Sequence, residues 1–268
     1  MPCNKSIFQI SFFATLLVVV VFTGGCALKQ QVPPPKPSPQ AVRFLDQLGG
    51  VSQAHTTIKG LGRFKILTTE EALSGRMAWI AQRPDRLRLT ILDPAGRPAA
   101  LLATDGKSVW LDLRAEGKQY VKEARRFSLK RMVGIDVTLK DLIQVLLGEI
   151  PLGPYHRVEV DLSEGVGEAR FFSSKEKPVA VLGYQETPFF VTQADYFDRA
   201  PALFLSLNRK AEPKDPLPQY PKELSFEDEA RNRFYLRVDR FWVDPEVNPD
   251  LFQLNGFDGL PPDNPQER

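Results

Sequence analysis

The sequence contains few side chains whose type and spacing would support catalysis or metal binding. Its two histidines, His55 and His156, lie far apart and match neither the HxH nor the HExxH spacing. Neither a Gly-x-Ser-x-Gly turn nor a phosphate-binding loop is present. Asp258 lies between two glycines but lacks the additional acidic ligands of a calcium loop. We therefore predict no catalytic residue, no metal and no cofactor, and we interpret both histidines as surface or turn residues.

Cys26 is the residue whose surroundings indicate a definite chemistry, that of lipid attachment. A nearly continuous apolar run over 7–22 follows Lys5 and precedes the small residues 23–25, a pattern typical of an export signal. A cysteine directly after such a cut resembles the lipobox of bacterial lipoproteins, although a threonine stands where leucine is usual. We predict a signal peptide over 1–25 and an acylated Cys26. The alternatives are a soluble export signal and a retained anchor, for which the run is shorter than the ~20 residues that span a bilayer.

The segment after the lipidation site is predicted to be an extended tether. Five prolines fall within Ala27–Gln40, which has almost no large apolar residue, and such a composition favours an extended chain of about 3.1 Å per residue. We expect the lipidated cysteine and linker over 26–42, a folded domain over 43–260 and a polar tail over 261–268. Because Cys3 would leave with the signal peptide, the domain would contain no disulfide.

Charge and composition are those of an ordinary globular protein. The formal net charge is +2 and charged residues make up 25% of the chain, so no strong field favours nucleic acid. Asp93, Asp105 and Asp112 are explained by turns, where a carboxylate accepts hydrogen bonds from backbone amides. A basic group could contact anionic headgroups or an acidic carrier, although a solvated polar face is the commoner explanation. That group is Arg83, Arg86, Arg88, Arg97, Arg125, Arg126, Lys130 and Arg131.

Alternation of apolar and polar residues from Ile58 onward predicts short antiparallel strands with one apolar face. The Asp105–Gly106 pair marks a tight turn between two of them. The residues expected on the inward face are Phe64, Ile66, Met77, Trp79, Leu87, Leu89 and Leu101. Later strands are predicted at 168–172, 179–184, 189–194, 203–207, 223–227 and 234–243.

Two helices interrupt this pattern. Val42, Phe44, Leu45 and Leu48 predict a short amphipathic helix that ends near Gly49 and Gly50. A second helix over 139–150 begins with Thr138 and Asp141 in a spacing like that of a capping box. Because a long sheet with an exposed apolar face is unstable in water, we expect the sheet to curl and the second helix to cover its concave side.

Several phrases of the sequence resemble the LolB/LolA family of periplasmic lipoprotein carriers. The similar phrases are Gly60–Phe64, Arg86–Leu89, Asp93–Gly96, Leu147–Pro151 and the closing residues Pro249, Leu251, Phe252 and Leu254. The LolB branch is the closer match because its members are themselves outer-membrane lipoproteins. The resemblance implies a mainly antiparallel α+β fold, an incomplete and strongly curved β-barrel whose helical lid covers an apolar cavity.

The resemblance also implies that the apolar interior binds acyl chains of lipoproteins or other lipids. The expected cavity lining is Phe64, Ile66, Met77, Trp79, Leu87, Leu89, Leu101, Leu142, Ile143 and Leu146. The alternative is an ordinary packed core. The helix over 139–150 would be the opening lid, with Gly134 and Gly148 as candidate hinges, and its alternative is permanent packing on the sheet.

One departure from the family concerns the proposed membrane contact. The turn after the Arg-Leu-rich strand carries an exposed leucine in the family, whereas this sequence has Ala95 between a proline and a glycine. An alanine buries much less apolar area than a leucine. Ile91 and Leu92 lie close by and are the candidate substitutes, and the predicted membrane-contact loop comprises Leu92 and Ala95.

Together these features predict a lipid-anchored protein of the outer membrane, facing the periplasm, that is not an enzyme. Its expected partners are acylated lipoproteins or other lipids and a soluble periplasmic carrier, with no nucleic acid, and we expect a monomer. Ala27 after the cysteine favours the outer over the inner membrane. The alternative is a structural or sensor lipoprotein of the same fold, with a self-filled core or a protein partner.

Overall fold

The computed structural model of the chain describes residues 36–53, 55–114, 116–130, 134–197, 203–209, 217 and 220–254. The chain divides into Met1–Pro35 and the compact unit Lys36–Arg268, and the description below concerns the second. The predicted signal peptide, Cys26 and the predicted polar tail therefore lie outside the described residues.

The described residues form thirteen antiparallel strands in one sheet. The strands are β1 (Thr57–Leu67), β2 (Ala72–Gln82), β3 (Arg86–Leu92), β4 (Pro98–Thr104), β5 (Ser108–Leu113), β6 (Lys118–Glu123), β7 (Arg157–Ser163), β8 (Val166–Phe172), β9 (Pro178–Glu186), β10 (Phe189–Tyr196), β11 (Leu203–Asn208), β12 (Glu223–Asp228) and β13 (Arg233–Val243). Their order is β6-β5-β4-β3-β2-β1-β13-β12-β11-β10-β9-β8-β7. Because β6 and β7 end this order and do not pair, the sheet is not closed.

In the described part of the chain, two α-helices accompany the sheet: α1 (Pro39–Gln53) precedes β1, and α2 (Leu139–Leu146) lies between β6 and β7. Short 3-10 helices follow β6, over Ala124–Arg126, and β13, over Pro249–Phe252. None of the described helices has the length and apolar character needed to cross a bilayer.

The period-two pattern of β1 shows how the sheet acquires its apolar face. Ile58, Phe64 and Ile66 are buried, whereas Lys59 and Lys65 are exposed, because successive strand residues point to opposite faces. Phe64 pairs with Leu236 of β13 and Ile66 with Phe234, so the same face continues into the neighbouring strand. The core lies between this inward face and the two helices.

Both helices end at residues other than those predicted. The helix α1 continues through Gly49 and Gly50 to Gln53, so the predicted stop at the glycines is wrong. Val51, directly after the two glycines, lines an apolar pocket together with Phe190 and Leu207 of the sheet. This packing offsets the roughly 1 kcal/mol that each helical glycine costs. The helix α2 ends at Leu146 because Gly148 takes a φ of +79°, a left-handed conformation that terminates helices.

The predicted start of α2 is confirmed in atomic detail. Thr138 Oγ1 accepts a hydrogen bond from the Asp141 backbone amide at 3.1 Å and donates one to Asp141 Oδ2 at 2.6 Å. One of the backbone amides that a helix start leaves without a partner is thereby satisfied. Asp141 also places a negative charge in the first turn, where the helix dipole favours it.

Replacing this cap tests its contribution to stability. Thr138→Ala is expected to lower the free energy of unfolding by about 1 kcal/mol, because the amide of Asp141 loses its acceptor. Urea unfolding of residues 36–268 measures the change. Thr69→Ala, at an exposed turn position, is the control and should change it by less than about 0.5 kcal/mol. Equal changes in the two variants would show that the cap does not stabilise α2.

Candidate functional site

The structure brings most of the predicted lining residues together in one apolar cluster between the sheet and α2. Their exposed fractions do not exceed 7%, and Leu89 is partly buried against the same cluster. The buried members are Phe64, Ile66, Met77, Trp79, Leu87, Leu142, Ile143 and Leu146. The sheet contributes the first five and α2 contributes the last three, so the concave face and the helix share one interior.

Leu101 is the exception among the predicted lining residues, because it lies on the other face of the sheet. Its Cα partners are Thr90 and Asp112, whereas Leu102 pairs with Leu89 and Leu111 on the inward face. Both Leu101 and Leu102 are apolar, so the alternation of β4 does not reveal which of them points inward. A one-residue offset in a strand moves a side chain to the opposite face.

The interior of the described domain is filled by its own side chains. Trp79 is 1% exposed and lies directly over Gly60, where its indole occupies the space that a side chain on the facing strand would take. One cavity of about 20 Å³ lies at the edge of the core, which suffices for about one water molecule. An acyl chain therefore requires movement of a helix or of several side chains.

A cluster of polar residues, which we call the α2 anchor, fixes the end of α2. The anchor consists of His55, Arg83, Glu149 and Tyr220. His55 Nε2 donates a hydrogen bond to the Leu147 carbonyl, and Tyr220 Oη donates one to the Leu146 carbonyl at 2.7 Å. Arg83 Nη2 lies 2.7 Å from Glu149 Oε1, and Arg83 Nε donates to the His55 carbonyl at 2.9 Å.

The electrostatics of the α2 anchor follow from burial. Burial raises the pKa of Glu149, while the positive charge of Arg83 and a hydrogen bond from Gln144 act in the opposite direction. Arg83 Nη2 and Glu149 Oε1 are close but poorly aligned for a hydrogen bond, so their interaction is an ion pair. Burial also raises the pKa of Tyr220 well above its usual range, so its hydroxyl stays protonated as a donor.

The structure confirms the predicted exposure of one histidine and contradicts that of the other. His156 is exposed at a bend, as predicted. His55 is 3% exposed and bonded to α2, so its interpretation as a surface or turn residue is wrong. The sequence offered no signal for this contact, because the two bonded residues are 92 positions apart.

The contacts of α1 are of a different kind. Phe44 packs on Tyr184, Phe189 and Phe171, with ring centroids 4.7, 5.8 and 6.3 Å away. Among the described side chains of α1, the ion pair with the sheet is formed by Arg43 and Glu186 at 3.7 Å, with 74% of the arginine side chain exposed. Exposed pairs of this kind contribute little to stability. The helix α1 is therefore attached mainly by apolar packing.

The predicted membrane-contact loop forms a tight polar turn. The backbone amide of Arg97 donates to Asp93 Oδ1 at 2.8 Å, and this hydrogen bond lowers the pKa of Asp93. Ala95 is exposed at the tip of the turn and Leu92 is half-buried at the end of β3. Leu73 of β2 lies at the same end of the sheet as this turn. Its side chain is larger than that of Ala95 and is 51% exposed.

Most of the described basic residues singled out from the sequence contact the protein itself. Arg83 belongs to the α2 anchor, and Arg97 and Arg125 pair with Asp93 and Glu123. On the outer face, Arg88 Nη1 donates to the Leu251 carbonyl at 2.8 Å, and the guanidinium of Arg86 lies 5.9 Å from the ring centroid of Phe252. The side chain of Arg126 and all of Arg131 lie outside the described residues. Within the described part of the chain, no group of three or more histidines, cysteines and acidic residues is arranged to hold a metal.

The open antiparallel sheet that encloses an apolar interior beneath two helices is a fold shared with solved structures of low sequence identity. The structure matches a LolA superfamily protein from Nitrosomonas europaea with a TM-score of 0.55 and 10% identity, covering 80% of this chain and 97% of that one. It matches a DUF1329 family protein from Desulfovibrio piger with a TM-score of 0.51 and 12% identity, covering 79% and 96%. The predicted fold, an open curved barrel with a helical lid, is confirmed.

Part of the sequence is similar to LolB proteins. Residues 57–186 match the family model described as outer membrane lipoprotein LolB. The chain is 27% identical over 146 residues to the outer-membrane lipoprotein LolB of Yersinia enterocolitica, a match covering 52% of this chain and 66% of the relative. It is 25% identical over 124 residues to that of Erwinia tasmaniensis, covering 46% and 59%. These matches span less than two thirds of the length of either relative.

Proposed function

We propose that this protein is a lipid-anchored receptor of the outer membrane that binds the acyl chains of lipoproteins and delivers them from the periplasm. The observation that carries the proposal is the predominantly apolar interior between the concave sheet and the helices, within a chain whose residues 57–186 match LolB. Cys26 is the proposed lipid-attachment residue, and the proposed donor is a soluble periplasmic carrier. The turn with Leu92 and Ala95 is the proposed membrane contact.

The physical basis of binding is the removal of hydrocarbon from water. Each buried methylene contributes about 0.8 kcal/mol, so a few acyl chains bind tightly without any catalytic or charged residue. Because the cavity at the edge of the core is only about 20 Å³, binding requires the interior to open. Part of the gain from burying the chains is then offset by the packing that opening disrupts.

The packed interior also favours a second function, that of a structural or sensor lipoprotein whose core is permanently filled. Trp79, Met77 and Ile143 are each 1% exposed and occupy the space that acyl chains would take. A protein of this kind would bind a protein partner through its surface and would have no need to open. The two functions differ in whether hydrocarbon reaches the interior.

Binding of a fluorescent fatty-acyl probe separates the two functions. Residues 36–268, which form a compact unit, are expected to bind the probe with a dissociation constant of about 1 μM or lower, since about 8 kcal/mol requires the burial of only about ten methylenes. A triacylated lipoprotein should displace the probe, and the same protein without its acyl groups should not. Absence of probe binding would support the filled core and exclude the carrier function.

A further inference from the structure

We propose that acyl chains reach the interior beneath α1, through a groove between α1 and the strands β10 and β11, and that α1 moves while α2 stays in place. The groove is lined by Leu48, Val51, Phe189, Phe190, Val191 and Leu207, together with Gly148 and Ile150 directly after α2 and Pro221 before β12. This inference rests on the proposed acyl-chain binding and specifies where the acyl chain enters and which helix moves to admit it. It reverses the role of lid that the sequence assigned to α2.

The chemistry of the groove suits a hydrocarbon chain. All nine lining residues are apolar: two belong to α1, three to β10 and one to β11, and the other three lie in the segments after α2 and before β12. Phe190, Val191 and Leu207 also belong to the core cluster, and Phe189 packs against it. The groove is therefore continuous with the interior. An acyl chain in the groove would contact only apolar lining residues on its way from the surface to the core.

The two helices differ in the interactions that must be broken to move them away from the sheet. Moving α2 would break two hydrogen bonds to its terminal carbonyls and separate the buried pair of Arg83 and Glu149. Buried polar groups that lose their partners are costly. Moving α1 mainly separates Phe44 from the rings of Tyr184 and Phe189. An acyl chain under α1 replaces these apolar contacts with its own methylenes, so this movement leaves fewer groups unsatisfied.

A cation next to one of the groove residues indicates the kind of amphiphile that fits the groove. The guanidinium of Arg209 lies 5.7 Å from the ring centroid of Phe190. An anionic head beside Arg209 gains a favourable charge interaction while the chain lies along the apolar side chains. The occupant we assign to the groove is therefore a fatty-acyl chain with an anionic head.

Substitution of Val51 tests the groove with little effect on the core. Val51→Gln places a polar side chain in the groove at a half-buried position near the end of α1, where glutamine is also the better helix former. We expect palmitate to bind to residues 36–268 about tenfold more weakly, because a buried amide lacks partners there. Val166→Gln is the matched control, since Val166 is 62% exposed in β8 away from the groove, and palmitate affinity should not change. Equal affinities of both variants for palmitate would overturn the inference.

A photoreactive palmitate identifies the path independently of affinity. Cross-links are expected on α1 and β10, near Val51 and Phe190. Cross-links confined to α2 would overturn the inference. Arg209→Gln should weaken palmitate binding several-fold and leave its methyl ester unaffected, whereas equal loss for both ligands would exclude the anionic head. If the unsubstituted protein binds no acyl ligand, the proposed function itself fails, whereas binding without any effect of Val51→Gln rejects the groove alone.

Discussion

Replacement of Arg83 by methionine is expected to lower the free energy of unfolding by about 3 kcal/mol at about pH 8, because it leaves a buried carboxylate without its cation. The side chain of Glu149 is 9% exposed, and Arg83 Nη2 lies 2.7 Å from its Oε1. Methionine keeps most of the length and packing of the arginine stem, so the main change is the lost charge. Urea unfolding of residues 36–268 at two pH values measures the effect.

The pH dependence of this effect follows from the raised pKa of Glu149. Burial favours the protonated carboxyl in the folded protein, so the stability that the proton contributes is fully present below about pH 4 and is lost as the pH rises through the folded pKa. Removal of Arg83 raises that pKa further, because the opposing positive charge is gone. The loss caused by Arg83→Met should therefore be less than half as large at about pH 4.5 as at about pH 8.

Two further variants show whether the pair is responsible. Adding Glu149→Gln to Arg83→Met removes the unpaired charge and should recover most of the stability lost at the higher pH. Arg97→Met breaks an exposed ion pair with Asp93, in which 80% of the arginine side chain is accessible, and should cost less than about 1 kcal/mol. A loss from Arg83→Met that is equal at both pH values would show that the buried charge is not its cause.

The second large effect is expected at Gly60. A Cβ at this position would lie 2.0 Å from Trp79 Cζ2 and 2.3 Å from Cε2, far inside van der Waals contact. Trp79 is 1% exposed, so the indole has no free space into which it can move. Gly60→Ala should therefore lower the free energy of unfolding by about 3 kcal/mol, at the upper end of the usual cost of overpacking.

Controls for Gly60→Ala are available within the chain. Gly49→Ala adds the same methyl group in α1, where the new Cβ would have no neighbour within 4 Å, and should stabilise the protein by up to about 1 kcal/mol. In the double variant Gly60→Ala with Trp79→Leu, the smaller side chain makes room for the methyl, so the combined loss should be smaller than the sum of the two single losses. Additive losses would mean that the contact with Trp79 does not limit this position.

The parts of the fold that were predictable from sequence are those with a local signal. Apolar and polar residues alternate along β1 because one face of the strand is buried and the other is exposed to solvent. Thr138 and Asp141, three residues apart, mark the start of α2 through their hydrogen bonds. The strand β6, Lys118–Glu123, escaped prediction because it lies mostly exposed at the end of the sheet and lacks an apolar face. The strand β7 does alternate, with Val158 buried and Glu159 exposed, and that signal could have been used.

The site was predictable only in its apolar part. The inward stripe followed from periodicity, except at Leu101, where two adjacent leucines concealed the face. The α2 anchor depends on residues brought together from four separate segments, with Tyr220 bonded to a carbonyl 74 positions away. No spacing rule applies to such contacts, because the sheet rather than the local sequence determines which residues meet.

The two unpaired edges of the sheet affect how far its interior can widen. Because β6 and β7 are not paired with each other, the two flanks of the sheet can spread apart while every strand keeps its hydrogen-bonded neighbours. A closed barrel has a circumference fixed by its strand number and stagger, and it widens only when a ladder breaks. Under the proposed acyl-chain binding, the capacity of the interior would scale with the number of tails, so one scaffold would suit ligands that carry one, two or three of them.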